Sequence, residues 1–157
     1  MKTKSLFILS FLMLIFLNAE AQNPRKFYKK GNDYVKAGNY EMAIEQFSQA
    51  VELDPGFIKA IDARALAYEQ LADFHKSAND YETLSELLPQ DFQKPLKAAV
   101  LYFKVGQFQK AGEMIALAEG INQQSAEIYS MKAKCLYALK KYNDAYQSSG
   151  KAIQLNT

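Results

Sequence analysis

The feature that most constrains this chain is a fixed interval between like residues. Tyr40, Phe74, Phe108 and Tyr142 are aromatic and evenly spaced without a slip, and Tyr34, Tyr68 and Tyr102 keep the same interval. Ala43, Ser77, Ala111 and Ala145 form a column of small residues at that spacing. Ala50, Leu84, Ala118 and Ala152 form another, while Phe47, Tyr81 and Ile115 make a column of large ones. Pro55 and Pro89 repeat it between the columns. Self-similarity at a period of roughly 20–50 residues is the signature of stacked repeats. The chain is therefore read as a row of equivalent units, not as one aperiodic core.

Each period contains two short amphipathic helices. In the first, Phe27, Tyr34 and Val35 carry one apolar stripe, and Ala37-Gly38-Asn39 breaks it. Tyr40, Ala43, Ile44, Phe47, Ala50 and Val51 then recur three and four residues apart, as the apolar face of a helix requires. Asp54-Pro55 stops that second helix, because the residue before proline disfavours the helical region. Small residues in the columns let two backbones approach where helices cross, and a neighbour's aromatic ring fills the space beside them. A helical hairpin of this size cannot bury its apolar face alone, so the units must stack. The fold class is all-α, an α-solenoid.

Residues 1–21 stand apart from this pattern. Lys2 and Lys4 precede an apolar run from Leu6 to Leu17, and Ala19-Glu20-Ala21 supplies a small-x-small end. Twelve helical residues rise only about 18 Å against a hydrocarbon core of about 30 Å. The segment reads as a signal peptide cut after Ala21, with a retained anchor as the alternative. No cysteine lies near that cut, which argues against a lipoprotein. The AEA-Q ending resembles signal peptides of Bacteroidota, and this resemblance implies a Gram-negative periplasm or secretion. No stable membrane span is expected once the signal is gone.

Composition excludes several classes of chemistry. With 19 Lys and Arg against 17 Asp and Glu, the net charge is only +2, and no nucleic-acid partner is expected. Cleavage after Ala21 removes Lys2, Lys4 and Glu20, so the mature chain from Gln22 to Thr157 is closer still to neutral. One Cys and one His cannot form an internal disulfide or a usual zinc site, so no metal and no cofactor are expected. His75 falls among charged residues at the start of a helix and reads as a surface side chain. Cys135 shares a column with Ala67 and Leu101 and reads as an inert buried thiol. The carboxylates form no convergent pair, and there is no glycine-rich phosphate loop. The chain is read as non-enzymatic, without catalytic residues.

The residues Gly31, Tyr34, Ala43, Phe47, Ala50 and Pro55 resemble, in type and spacing, the tetratricopeptide repeat family. The resemblance covers residues 24–157, in about four helix-turn-helix repeats at 24–57, 58–91, 92–125 and 126–157, so the domain spans 22–157. It departs from the family where Gln123 replaces the loop proline, Leu136 the tyrosine and Ser149 the large residue. It implies a concave groove, lined by the leading helix of each unit, that binds a peptide or a partner's helix. The positions it implies as partner-binding are Tyr28, Asn32, Lys36, Leu66, Lys97, Val100, Phe103 and Lys104. Arg25, Lys29 and Lys36 at one end, with Lys97 and Lys104 further on, suggest a partner with an acidic segment. The five-residue carboxylate clamp of the chaperone-binding members is matched only at Asn32 and Lys97. Tyr28, Ala63 and Gln93 occupy the other three places.

The expected function is an exported scaffold for protein–protein interaction in the cell envelope. The alternative is an N-terminal adaptor or regulatory segment of a longer protein with an anchoring or catalytic domain. The last helix, read as Tyr142 to Leu155, leaves Tyr146, Ile153 and Leu155 with no following unit in this sequence to cover them. Self-association through the last repeat is accordingly a further expectation.

Overall fold

The computed structural model describes residues 23–156. Among them are eight α-helices and no strand. In chain order these are α1 (Pro24–Lys36), α2 (Tyr40–Leu53), α3 (Ile58–Gln70), α4 (Phe74–Leu87), α5 (Gln93–Lys104), α6 (Phe108–Ile121), α7 (Ala126–Ala138) and α8 (Tyr142–Leu155). They pack as the hairpins α1–α2, α3–α4, α5–α6 and α7–α8, called units 1 to 4 below, and each leading helix also packs on the preceding hairpin. The segment read as a signal peptide, with its cut after Ala21, lies outside the described residues. Among the described residues, no helix is long and apolar enough to cross a membrane.

The turn inside each hairpin is the same device used four times. In unit 1 the Asn39 N–H donates to Tyr34 O at 2.9 Å, and the Gly38 N–H to Val35 O at 3.0 Å. These two bonds satisfy carbonyls that the end of a helix leaves open. The same pair recurs at Asp73/Ala72, Gln107/Gly106 and Lys141/Lys140, with Tyr68, Tyr102 and Leu136 accepting the outer bond. The geometry needs a left-handed residue, supplied by Gly38 and Gly106 at φ +73° and +79°. In units 2 and 4 it falls on Ala72 and Lys140, at φ 57° and 61°. The residue after it starts the next helix. Asn39 Oδ1 accepts from Met42 N–H, and Asp73 Oδ1 from Lys76 N–H, whereas Gln107 and Lys141 provide no such side-chain bond.

The columns found in the sequence lie at the helix crossings. Ala43, Ser77 and Ala111 are fully buried, as are Ala50, Leu84 and Ala118, and Ala145 is nearly so. Phe47, Tyr81 and Ile115 fill the space beside them. Gly31 marks a close crossing: a Cβ there would stand 2.4 Å from the Phe47 ring. One continuous core runs through units 2 to 4, with Ile61, Leu96, Tyr102 and Ile128 at its centre. A smaller one joins Ala43 and Phe47 of unit 1 to Ala67 of unit 2. Units are also clamped by polar contacts. Arg64 on α3 makes a two-pronged bond to Asp80 on α4, at 2.9 and 2.7 Å, and reaches back to Ser48 on α2 at 3.2 Å. Burial works against the Arg64 charge, but Asp80 outweighs it and holds the guanidinium above its ordinary pKa.

Candidate functional site

The leading helices α1, α3, α5 and α7 repeat their positions at the interval read from the sequence, so equivalent side chains form rows along the stack. One row is Asn32, Leu66, Val100 and Lys134. Leu66 and Val100 are 44% and 42% exposed, a large apolar exposure on two adjacent leading helices. Asn32 is half-buried, and its side-chain amide donates to Tyr28 O at 3.0 Å within α1. Lys134 is exposed.

The other candidate residues divide between surface and core. Tyr28 is half-buried, with its ring 5.9 Å from Phe47 and 5.3 Å from Phe57, so it serves chiefly as packing. Lys36 is exposed and forms a solvent-side pair with Asp33 at 3.6 Å. Lys97 donates to Tyr81 Oη at 2.9 Å, with its ammonium 3.7 Å from Glu69 and 4.8 Å from the Tyr81 ring centre. Burial, with Glu69 and Asp62 nearby, pushes the Tyr81 phenol far above its usual pKa, so it stays protonated. Lys104 lies 3.5 Å from the centre of the Phe74 ring. These two of the four lysines of unit 3 thus have partners within the fold, Lys97 an ion pair and a phenol, Lys104 an aromatic face. Phe103 is half-buried against Phe108, with ring centres 5.2 Å apart.

Phe103 faces a feature that sequence reasoning did not place: an open groove of about 710 Å³ between α7 and α8. Ala133, Tyr137, Tyr142, Ala145, Tyr146 and Ile153 line it, with Lys134 at its side. The signal for it lay in Tyr146 and Ile153, apolar side chains that no later unit among the described residues covers. They are 83% and 69% exposed, while Leu155 is half-buried.

The residues weighed for chemistry are set in plain surroundings. His75 is exposed, with Nδ1 3.5 Å from the Asn79 amide nitrogen and its ring edge-on to Tyr102. Cys135 is buried, its Sγ–H donates to Phe108 O at 3.0 Å, and burial raises its pKa, which suppresses the thiolate. Among the described residues, no three His, Cys, Asp or Glu side chains are placed to hold a metal ion. Burial raises the Glu119 carboxyl, but hydrogen bonds from Lys132 and Tyr129 outweigh it and set the pKa below its usual range. That Lys132–Glu119 pair, at 2.6 Å, ties α7 to α6.

Comparison with known proteins agrees with this architecture. Residues 24–57 match the family model for the tetratricopeptide repeat. The chain is similar to tetratricopeptide repeat protein 16 of Mus musculus, at 28% identity over 127 residues, 76% of this chain and 17% of that protein. It is also similar to mitochondrial import receptor subunit TOM70 of Homo sapiens, at 29% identity over 128 residues, 76% of this chain and 21% of that protein. The matched region thus spans about a fifth of these curated relatives. Among solved structures, MamA MSR-1 superposes with a TM-score of 0.72 at 20% identity, covering 88% of this chain and 79% of that one. MamA from Desulfovibrio magneticus RS-1 gives a TM-score of 0.69 at 16% identity, covering 87% and 77%. These likenesses support the tetratricopeptide family and establish an all-α solenoid of that type.

Proposed function

We propose that the chain is a non-enzymatic protein-interaction scaffold that takes a peptide or helix of a partner across the face of its leading helices. The observation that carries this reading is the pair Leu66 and Val100. Both are exposed, apolar and one repeat apart on α3 and α5. Leucine and valine at successive equivalent positions give an extended partner two apolar footholds in register with the stack. Lys97 and Lys104 flank them; Lys97 is paired with Glu69, whereas Lys104, set against the neutral Phe74 ring, keeps its charge. The contact is therefore apolar first, and an acidic segment of the partner adds to it chiefly at Lys104 and Lys134.

Leu66→Asp with Val100→Asp is the direct test, because both side chains are exposed and the change leaves the cores untouched. Crosslinking pull-down from the native envelope is expected to lose its captured proteins, with helicity unchanged by circular dichroism. Equal capture by the double variant would overturn this reading. Charge reversal at Lys97 is a poorer probe, since a glutamate there would stand beside Glu69 and disturb the fold.

The compartment belongs to the same proposal. The positive, apolar and small-x-small order of residues 1–21 supports export with cleavage after Ala21, to the periplasm or beyond. A second reading, an adaptor or regulatory segment of a larger protein, is favoured by the much greater length of the curated relatives. Whether the reading frame continues past Thr157 separates the two.

A further inference from the structure

Units 1, 2 and 3 each have a notch between their two helices, and in each case the next leading helix fills it. Gly31, Ala65 and Ala99 on the leading-helix side, and Ala50, Leu84 and Ala118 on the other, are buried at these junctions. Unit 4 has the same notch, and among the described residues nothing fills it. It is the 710 Å³ groove, where Tyr137, Tyr142, Tyr146 and Ile153 are 57–83% exposed. Four large apolar side chains at that exposure exceed the scattered apolar residues of an ordinary surface. The shape is already defined: it is the seat of one helix, as shown three times within the chain.

Charge distinguishes which helix. At each internal junction the entering helix brings a cation and the receiving unit supplies an oxygen acceptor. Arg64 meets Ser48, Lys94 meets Asp62 at 2.7 Å, Lys97 meets Glu69, and Lys132 meets Glu119. In unit 4 the positions equivalent to those four acceptors are Gly150, Ser130, Tyr137 and Ile153. No carboxylate remains at the receiving positions. Lys134 lines the groove instead, and Tyr142 is shared with an adjoining depression that holds Lys140 and Lys141 together with Asp144. The seat therefore carries a cation where units 2 and 3 offer carboxylates and unit 1 a neutral hydroxyl.

This difference argues against a second copy of the chain. A head-to-tail stack would insert α1, the leading helix whose outer side no other described unit covers. That helix carries Arg25, Lys26, Lys29, Lys30 and Lys36 against Asp33, so it would bring cations onto Lys134, Lys140 and Lys141. A twofold pairing of unit 4 with itself would gather two copies of Lys134, Lys140 and Lys141, against two of Asp144, into one contact. Like charges opposed in a partly desolvated contact are unfavourable.

We infer that the groove of unit 4 docks an amphipathic helix from a different protein. That helix carries apolar residues at three- and four-residue spacing on one side and acidic residues along the flank that meets Lys134, Lys140 and Lys141. This surface shares Lys134 with the Leu66–Val100 row but none of its apolar side chains, so either reading can fail without the other.

The test uses the full chain and two labelled peptides copied from α7, residues 126–138, both with Cys135→Ala. One keeps Lys132 and Lys134; the other has both replaced by glutamate. Fluorescence anisotropy is expected to show the acidic peptide binding at least tenfold more tightly than the basic one, and more weakly as salt is raised. Tyr146→Asp with Ile153→Asp in the protein should remove that binding, with helicity retained. Lys134→Glu, which touches no core contact, should narrow or invert the preference between peptides, while Leu66→Asp with Val100→Asp should leave it unchanged. The inference is overturned if neither peptide binds at millimolar concentration, or if the basic peptide binds as well as the acidic one. It is equally overturned if sedimentation shows the chain dimerising through Tyr146 and Ile153.

Discussion

Replacing Gly31 by alanine puts a number on how closely the two helices of unit 1 approach. A methyl group built there stands 2.4 Å from Phe47 Cε1, 2.6 Å from Cδ1 and 3.0 Å from Cζ. Carbon atoms prefer about 3.5–4.0 Å, so the ring has to retreat by about 1 Å. Phe47 is fully buried, with the Tyr28 ring 5.9 Å away, and has no solvent to move into. Overpacking of this kind costs about 1–3 kcal/mol. Exchanging glycine for alanine within a helix returns about 1 kcal/mol. Units 2 and 3 seat Ala65 and Ala99 opposite Tyr81 and Ile115, so some relaxation of the crossing is available and the upper end of the range is not reached. The net expectation is a loss of about 1 kcal/mol. Gly112→Ala is the control: it is also helical, but its nearest foreign atom is Cys135 Sγ at 4.0 Å, an ordinary contact. It should gain about 0.5–1 kcal/mol. With a urea slope of about 1–3 kcal/mol per molar, the two variants should unfold on opposite sides of wild type, roughly 1 M apart. Far-ultraviolet circular dichroism reads both midpoints. If Gly31→Ala unfolds at or above the Gly112→Ala midpoint, the steric reasoning at this crossing is refuted.

Two further outcomes follow from backbone and charge. Ala72→Gly and Lys140→Gly should each stabilise the fold by about 0.5–1 kcal/mol in urea melts, since both residues hold a left-handed φ that Gly38 and Gly106 adopt without strain; no gain at either site would contradict this. Asp80→Ala should cost about 3–5 kcal/mol by stranding the mostly buried Arg64, whereas Arg64→Met with Asp80→Leu should cost much less, and equal losses for the two in denaturant melts would deny the pairing its role.

The sequence made the stack legible because a repeat turns tertiary packing into a column that can be counted. Ala43, Ser77 and Ala111 read as helix-crossing residues before any coordinates, and the structure buries all three. The last helix was readable as Tyr142 to Leu155 for the same reason. The turn was only half legible: glycine announces the left-handed position in units 1 and 3, but alanine and lysine occupy it in units 2 and 4. The candidate site was harder to read. Lys97 and Lys104 could be placed on a leading helix, yet the groups that absorb them, Tyr81, Glu69 and Phe74, come from the preceding unit. A row of equivalent positions shows which side chains share a helix face. It does not show which neighbour across the junction they already touch.

The same distinction explains why the two ends of the stack differ in kind. In a quasi-one-dimensional repeat array, each unit draws stability from its own hairpin and from its nearest neighbours. Unit 1 closes its outer side with charged residues of α1, including Lys26, Lys30 and Asp33, which can remain in water. Unit 4 instead presents Tyr146 and Ile153, and its ties to the array are one-sided: Ile128 buried at the junction, Cys135 bonded to Phe108 O, and Lys132 paired with Glu119. Among the described residues, units 1 and 4 each have a neighbour on one side only and are held by fewer contacts than units 2 and 3. A helix seated in the notch of unit 4 would add the second neighbour, and by mass action any ligand that binds only the closed form holds the unit closed. Recognition and local stability are thus coupled at unit 4. Binding across Leu66 and Val100, which lie on helices already flanked on both sides, carries no such coupling.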